Sequence, residues 1–119
     1  VDDEDFIREL YKDVFESQGI TVFSAESGDQ ALELMRTLKY KPDLVIMDYR
    51  MPGKDGIQTT RELLEMDPSI PIVFSSADET VREKALEAGA VSFWSKPFPV
   101  GLLVNAMFDI LDAKKKESI

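Results

Sequence analysis

Cysteine and histidine are both absent from this 119-residue sequence. Their absence excludes disulfides, Cys/His zinc sites, thiol nucleophiles and any imidazole acid or base, which leaves carboxylate, hydroxyl, lysine and arginine chemistry. Basic charge is scarce as well. Lys and Arg number 14 against 23 Asp and Glu, a formal charge of −9, so the footprint that neutralises phosphates is lacking and no direct nucleic-acid partner is expected. No apolar run approaches the roughly 20 residues of a membrane span, and no secretory leader is visible, which makes the cytoplasm the expected compartment. With 44% hydrophobic and 31% charged residues the profile is that of a soluble globular protein, and residues 1–119 are expected to form one domain.

What is present centres on the stretch from Asp43 to Gly56. Leu44 to Met47 is an unbroken apolar run, the pattern of a strand covered on both faces in a parallel sheet. Asp48 stands at its C-terminal end, where open α/β sheets place their ligand crevices, and Pro52, Gly53 and Gly56 in the following loop cannot continue the strand. By itself Asp48 serves equally well as a turn residue.

Four consecutive acids, Asp2 to Asp5, precede a helical pattern in which Phe6, Leu10, Val14 and Ile7, Tyr11, Phe15 recur at four-residue spacing; Gly19 ends it. The helix dipole accounts for one or two of these acids and not for four. Ile20 to Ala25 reads as a strand, and Ser27-Gly28-Asp29-Gln30 has the spacing of a capping box that opens a second helix. A third helix carries Ile57, Thr60 and Leu64 and closes at Asp67-Pro68. Ile70 to Ser76 is the next buried-type strand, and it ends in hydroxyls. A short helix follows, capped by Asp78 or Thr80 and stopped by Gly89. Val91 to Ser95 is a last strand delivering Lys96, and Val100 to Leu111 a terminal helix, beyond which Lys114 to Lys116 favour the dipole and are expected to fray.

This alternation predicts right-handed βαβ crossovers and an α/β, flavodoxin-like, doubly wound (βα)5 fold with a parallel five-stranded sheet of order 2-1-3-4-5. Only Val1 precedes the acids, so the first strand is expected to be truncated in this sequence. In such a sheet Asp2, Asp3, Asp48, Ser76 and Lys96 converge on one crevice. Each has a bland explanation alone, as dipole partner, turn cap or solvated charge. Together, three carboxylates at close range repel one another, and the remedy is a hard divalent cation such as Mg²⁺ or Mn²⁺. A bound cation of this kind also bridges to a phosphoryl oxygen, with Lys96 as a second positive contact, Ser76 as a hydroxyl donor and Asp48 as acceptor nucleophile.

Through Val1-Asp2-Asp3-Glu4, the run Val45 to Gly56, Ser76-Ala77, Ala88-Gly89-Ala90 and Lys96-Pro97-Phe98, the chain resembles the receiver domain of two-component response regulators over essentially its whole length. The resemblance implies a CheY-like signalling phosphoacceptor rather than a turnover enzyme. A sensor histidine kinase or phosphotransfer protein would phosphorylate Asp48. Asp3 and Asp48 would bind Mg²⁺ directly, Asp2 through water, and the Arg50 backbone carbonyl would complete the protein ligands. Ser76 and Lys96 would contact the phosphoryl group. Phe93, three residues before Lys96, is the expected switch aromatic, turning inward on phosphorylation together with Ser76. The face of the fourth helix, fifth strand and fifth helix would then engage a downstream effector, and a phosphorylation-dependent dimer is a further expected partner. With no effector following residue 119, a stand-alone or excised receiver is expected.

Two departures from the family pattern stand out. Phe93 replaces a commoner Tyr, and the stretch from Ser76 to Gly89 is short, which predicts a trimmed loop or fourth helix. An aspartyl-phosphate phosphatase of the haloacid-dehalogenase kind is the enzyme alternative, but it needs a second Asp where this chain has Arg50. A flavodoxin would need a Gly-rich phosphate loop where Asp2-Asp3-Glu4 stand. An unphosphorylated receiver-like scaffold is the remaining alternative.

Overall fold

The structure is a computed structural model that describes residues 1–117. In chain order its elements are α1 (Asp5–Ser17), α2 (Gly28–Thr37), β1 (Val45–Asp48), α3 (Gly56–Met66), β2 (Ile72–Ser76), α4 (Arg82–Glu87), β3 (Ser92–Ser95) and α5 (Val100–Glu117), with a 3₁₀ turn at Glu79–Val81 before α4. The strands are parallel in the order β1-β2-β3, with Asp48 opposite Ser75 and Ser76 opposite Ser95. These are the third, fourth and fifth strands of the expected sheet.

The expected strand over residues 20–25 is not formed as a strand, and the reason is a shortage of ladder partners. Asp2 donates its N–H to the Ala25 carbonyl at 3.0 Å, while on the other side the Asp48 N–H reaches the Val1 carbonyl at 3.0 Å and the Val1 nitrogen donates to the Ile46 carbonyl at 2.6 Å. Val1 and Asp2 thus lie between residues 20–25 and β1, where the order 2-1-3-4-5 puts a first strand, but one rung does not make a ladder. Beyond that rung the two edges face each other across a cavity of about 540 Å³ lined by Ile20, Val22, Leu44 and Ile46 among others.

Side chains alternate through the sheet. Met47, Ile72 and Phe74 pack with Leu32, Met35, Ile57 and Leu63 of α2 and α3 on one face. Val73 packs with Phe15 of α1 and with Leu103, Val104 and Met107 of α5 on the other. Burying each of these large side chains contributes about 1.5–3 kcal/mol, so the two faces anchor the sheet from both sides. Of the two α1 stripes, Phe15 is buried and Tyr11 half-buried, whereas Phe6 is 73% exposed and Leu10 also faces out. The N-termini of α2 and α3 are capped by side chains. Ser27 Oγ accepts from the Gln30 N–H, and Gln30 reaches back to the Glu26 N–H; Asp55, unforeseen as a cap, accepts from the Gln58 N–H at 2.9 Å. Asp78 caps the short turn through Thr80, and α4 has six residues, as the short spacing predicts. The terminal helix runs on to Glu117 instead of ending at Leu111, because Ala and Lys are good helix formers and no Gly or Pro intervenes; the side chains of Lys114 to Lys116 lie outside the described residues.

Candidate functional site

The C-terminal ends of β1, β2 and β3 form one edge, and each strand delivers a different chemistry to it. β1 ends in Asp48, β2 in Ser76, and Lys96 follows β3, docked to β2 by its N–H on the Ser76 carbonyl at 2.9 Å. Asp48 needs a close approach by the chain that follows it: a Cβ at Gly56 would collide with the Asp48 carbonyl oxygen, and the Gly56 N–H bonds the Tyr49 carbonyl at 2.8 Å. Glycine is therefore required where α3 begins, and the loop between is folded back over the strand end.

Asp2, Asp3 and Asp48 come together here, with one carboxylate oxygen from each lying within 4.8 Å of the others. Asp2 and Asp48 are buried and Asp3 is exposed. Lys96 Nζ lies 3.0 Å from Asp2 Oδ2 and 3.5 Å from Asp48 Oδ1. Burial, and then the Asp2 charge, push the Asp48 carboxyl above its ordinary value, with Lys96 acting against them. Burial pulls the Lys96 ammonium down, but the hydrogen bond it donates to Asp2 and the charges of Asp48 and Asp2 outweigh it and the net shift is upward. Lys96 is thus paired with two of the three acids and leaves the exposed carboxylate of Asp3 beside a partly dry site. All-oxygen donors at this separation suit a hard divalent ion that keeps part of its water shell, so the residues present fit Mg²⁺ or Mn²⁺.

Ser76 is 2% exposed, and its hydroxyl accepts from the Asp78 N–H at 3.0 Å. Arg50 lies two residues beyond Asp48 in the loop, with its side chain turned away from the acids to Asp78 Oδ2 at 3.2 Å. Thr80, through its hydroxyl and N–H, holds the Asp78 carboxyl below the usual range, with Arg50 adding to the effect. Phe93 departs from expectation. An outward ring before phosphorylation was expected, yet the ring lies inward, stacked on Phe74 at 5.9 Å between centroids and covered by the Arg82 guanidinium at 4.7 Å. Those two contacts give an inward Phe ring a cover that needs no hydroxyl partner.

Three neighbours join the site beyond the roles that residue order gives them. Asp78 bridges the loops after β1 and β2. Tyr11, stacked on Phe15, has its hydroxyl pushed up by burial within the field of Lys96, Asp2 and Asp48. Arg8 donates to the Asp2 backbone carbonyl at 2.7 Å. A lone basic residue one turn after four acids is the signal that marks Arg8; Tyr11 passed for an ordinary core position.

The comparisons agree with this geometry. A model of the response regulator receiver domain family matches residues 1–108. The chemotaxis protein CheY of Halobacterium salinarum is 37% identical over 115 residues, covering 95% of this chain and 94% of that protein. The CheY-like receiver domain from Methanospirillum hungatei superposes with a TM-score of 0.90 at 22% identity, over 98% of this chain and 93% of its own, a likeness of fold. The response regulator TrrA of Thermotoga maritima, solved with Mg²⁺ and BeF, gives 0.82 at 29% identity, over 92% and 93% of the two chains. With acids, hydroxyl and lysine at one sheet edge and a family match over nearly the whole length, this chain belongs to the response regulator receiver domain family of two-component systems.

Proposed function

We propose that the domain is a phosphoryl-accepting switch in which Asp48 is the acceptor. The observation that carries this reading is the convergence of Asp48 with Asp2, Asp3 and Lys96 at the end of the central strand. An Asp48 oxygen attacks phosphorus in a phosphohistidine of a sensor kinase or phosphotransfer protein. The P–N bond breaks, its electron pair stays on the imidazole nitrogen, and an acyl phosphate remains on Asp48. Mg²⁺ held by Asp2, Asp3, Asp48 and the Arg50 carbonyl would supply charge neutralisation at the phosphoryl oxygens. Lys96, already within reach of Asp48, offers the new anion a charge-assisted contact, and Ser76 offers it a hydroxyl that now accepts from Asp78.

The same reading makes the protein a signalling acceptor rather than a turnover enzyme, working in the cytoplasm; no helix among the described residues is long and apolar enough to cross a membrane. An effector is proposed to read the face of α4, β3 and α5, where Leu86, Val91 and Leu102 are exposed, and a phosphorylation-dependent dimer through that face belongs to the same reading. Because Phe93 already lies inward, the proposed change runs through Ser76, Asp78 and the 3₁₀ turn that Asp78 caps, rather than through a large swing of the ring. The test is intact-protein mass spectrometry after incubation with acetyl phosphate and Mg²⁺. One phosphoryl group is expected on the wild type and none on Asp48→Asn; full incorporation on the variant would place the acceptor elsewhere.

A further inference from the structure

Asp2 is held at every polar atom it owns. Its N–H goes to the Ala25 carbonyl at 3.0 Å, Oδ1 accepts from the Glu4 N–H at 3.0 Å, and Oδ2 meets Lys96. The remaining atom, the backbone carbonyl, accepts from Arg8 Nη1 at 2.7 Å. The Arg8 guanidinium also pairs with Asp5 through Nη2 and faces Glu26 Oε2 at 3.8 Å, and its side chain is only 17% exposed. One planar group thus ties the peptide between Asp2 and Asp3 to the first turn of α1 and to the chain just past residue 25.

That placement poses a contradiction in charge. A cation beside an acid cluster competes with any metal the cluster would take, so electrostatics alone would favour a neutral residue at position 8 for metal binding. The bond to the Asp2 carbonyl offers the opposite benefit. It fixes the peptide plane that leads into Asp3, the one exposed member of the trio, whose carboxylate has no strand to orient it. We propose that Arg8 is a positioning residue for the divalent-cation site, clamping the Asp2–Asp3 turn so that both carboxylates meet Asp48 across one ion. The inference rests on reading the trio as a divalent-cation site. Arginine is suited to this task because its fork spans a carbonyl and two carboxylates at once, which a lysine ammonium on a flexible stem does not.

The experiment is a calorimetric titration of the unphosphorylated protein with MgCl₂ at fixed ionic strength, on the wild type, Arg8→Lys and Arg8→Gln, with folding checked by circular dichroism in EDTA. Supporting groups around a metal site change affinity by about 10–100-fold. Arg8→Lys keeps the charge and loses the fork, and is expected to bind Mg²⁺ at least about 10-fold more weakly. Arg8→Gln is expected to be weaker as well, although it removes the repelling charge. Wild-type affinity in Arg8→Lys, or tighter binding in Arg8→Gln, would show that Arg8 acts only as a charge and would overturn the proposal. An unfolded Arg8→Lys protein would overturn it too, by making Arg8 a determinant of the fold. Failure of the wild type to bind Mg²⁺ at all would instead remove the metal site on which the inference rests.

Discussion

Asp48 sits in a place that disfavours its own charge. Burial and the Asp2 carboxylate raise its pKa above the ordinary 3.8, so the folded chain holds that proton more tightly than the unfolded chain does. Stability contributed at this site is therefore present at low pH and lost as pH rises from the ordinary carboxylate value through the raised one. Asp48→Asn, measured in EDTA, is expected to melt higher than wild type at pH 7, by roughly 4 °C for a change of about 1 kcal/mol. The two proteins should converge as the pH falls toward 4. An Asn variant that melts lower at pH 7 would mean that the pairing with Lys96 outweighs burial and repulsion. Ser76→Ala separates acceptance from signalling at the same scale. Phosphoryl uptake should persist through Asp48, while NMR shift changes on phosphorylation across residues 79–111 should shrink; equal changes in both proteins would remove the hydroxyl from the switch.

At the scale of elements, the start of α3 is where a helix meets the end of the central strand. Helix propensity alone predicts that Gly56→Ala stabilises the protein by about 0.5–1 kcal/mol. The contact geometry predicts the reverse, because the new methyl group would meet the Asp48 carbonyl oxygen and backbone cannot step aside as a side chain can. Overpacking of this kind costs about 1–3 kcal/mol, enough to win, and urea unfolding should show a lowered midpoint with phosphoryl uptake impaired at the displaced Asp48. A midpoint at or above wild type would mean that the loop yields freely. By contrast Asp55→Ala removes only the cap on Gln58 and should cost about 1 kcal/mol.

For the whole molecule, stability should be uneven in a way that hydrogen exchange can read. β2 is paired on both sides and buried at all five positions, so its amides should exchange only on near-global opening. Residues 20–24 border the large cavity, with a single rung beside them at Ala25, and should exchange by local opening at far lower cost. Comparable protection in the two segments would contradict the three-stranded description. Metal links the scales. Mg²⁺ at 100 times its dissociation constant should add about 2.7 kcal/mol to stability, visible as a rising melting temperature at constant ionic strength. A flat titration would argue against the acid trio as a metal site.

Much of this was legible in residue order. Apolar runs with no alternation read correctly as the central strands because a parallel sheet covered on both faces leaves no polar side. Asp48, Ser76 and Lys96 were locatable because strand ends are marked by the switch from apolar to polar, and parallel strands deliver those ends to one edge. The family was legible because the motifs are short, ordered and spread over the whole chain. Other features depend on contacts distant in sequence. Residues 20–25 have strand composition, but a strand exists only with a ladder partner, and Val1 and Asp2 offer one rung. The Phe93 ring turns inward because Phe74 and Arg82 arrive to cover it. Arg8 looks like any surface arginine of a helix until the fold sets the Asp2 carbonyl against it. Pattern along the chain determines which faces are buried and which residues end each strand; the aim of a side chain depends on neighbours that only folding supplies.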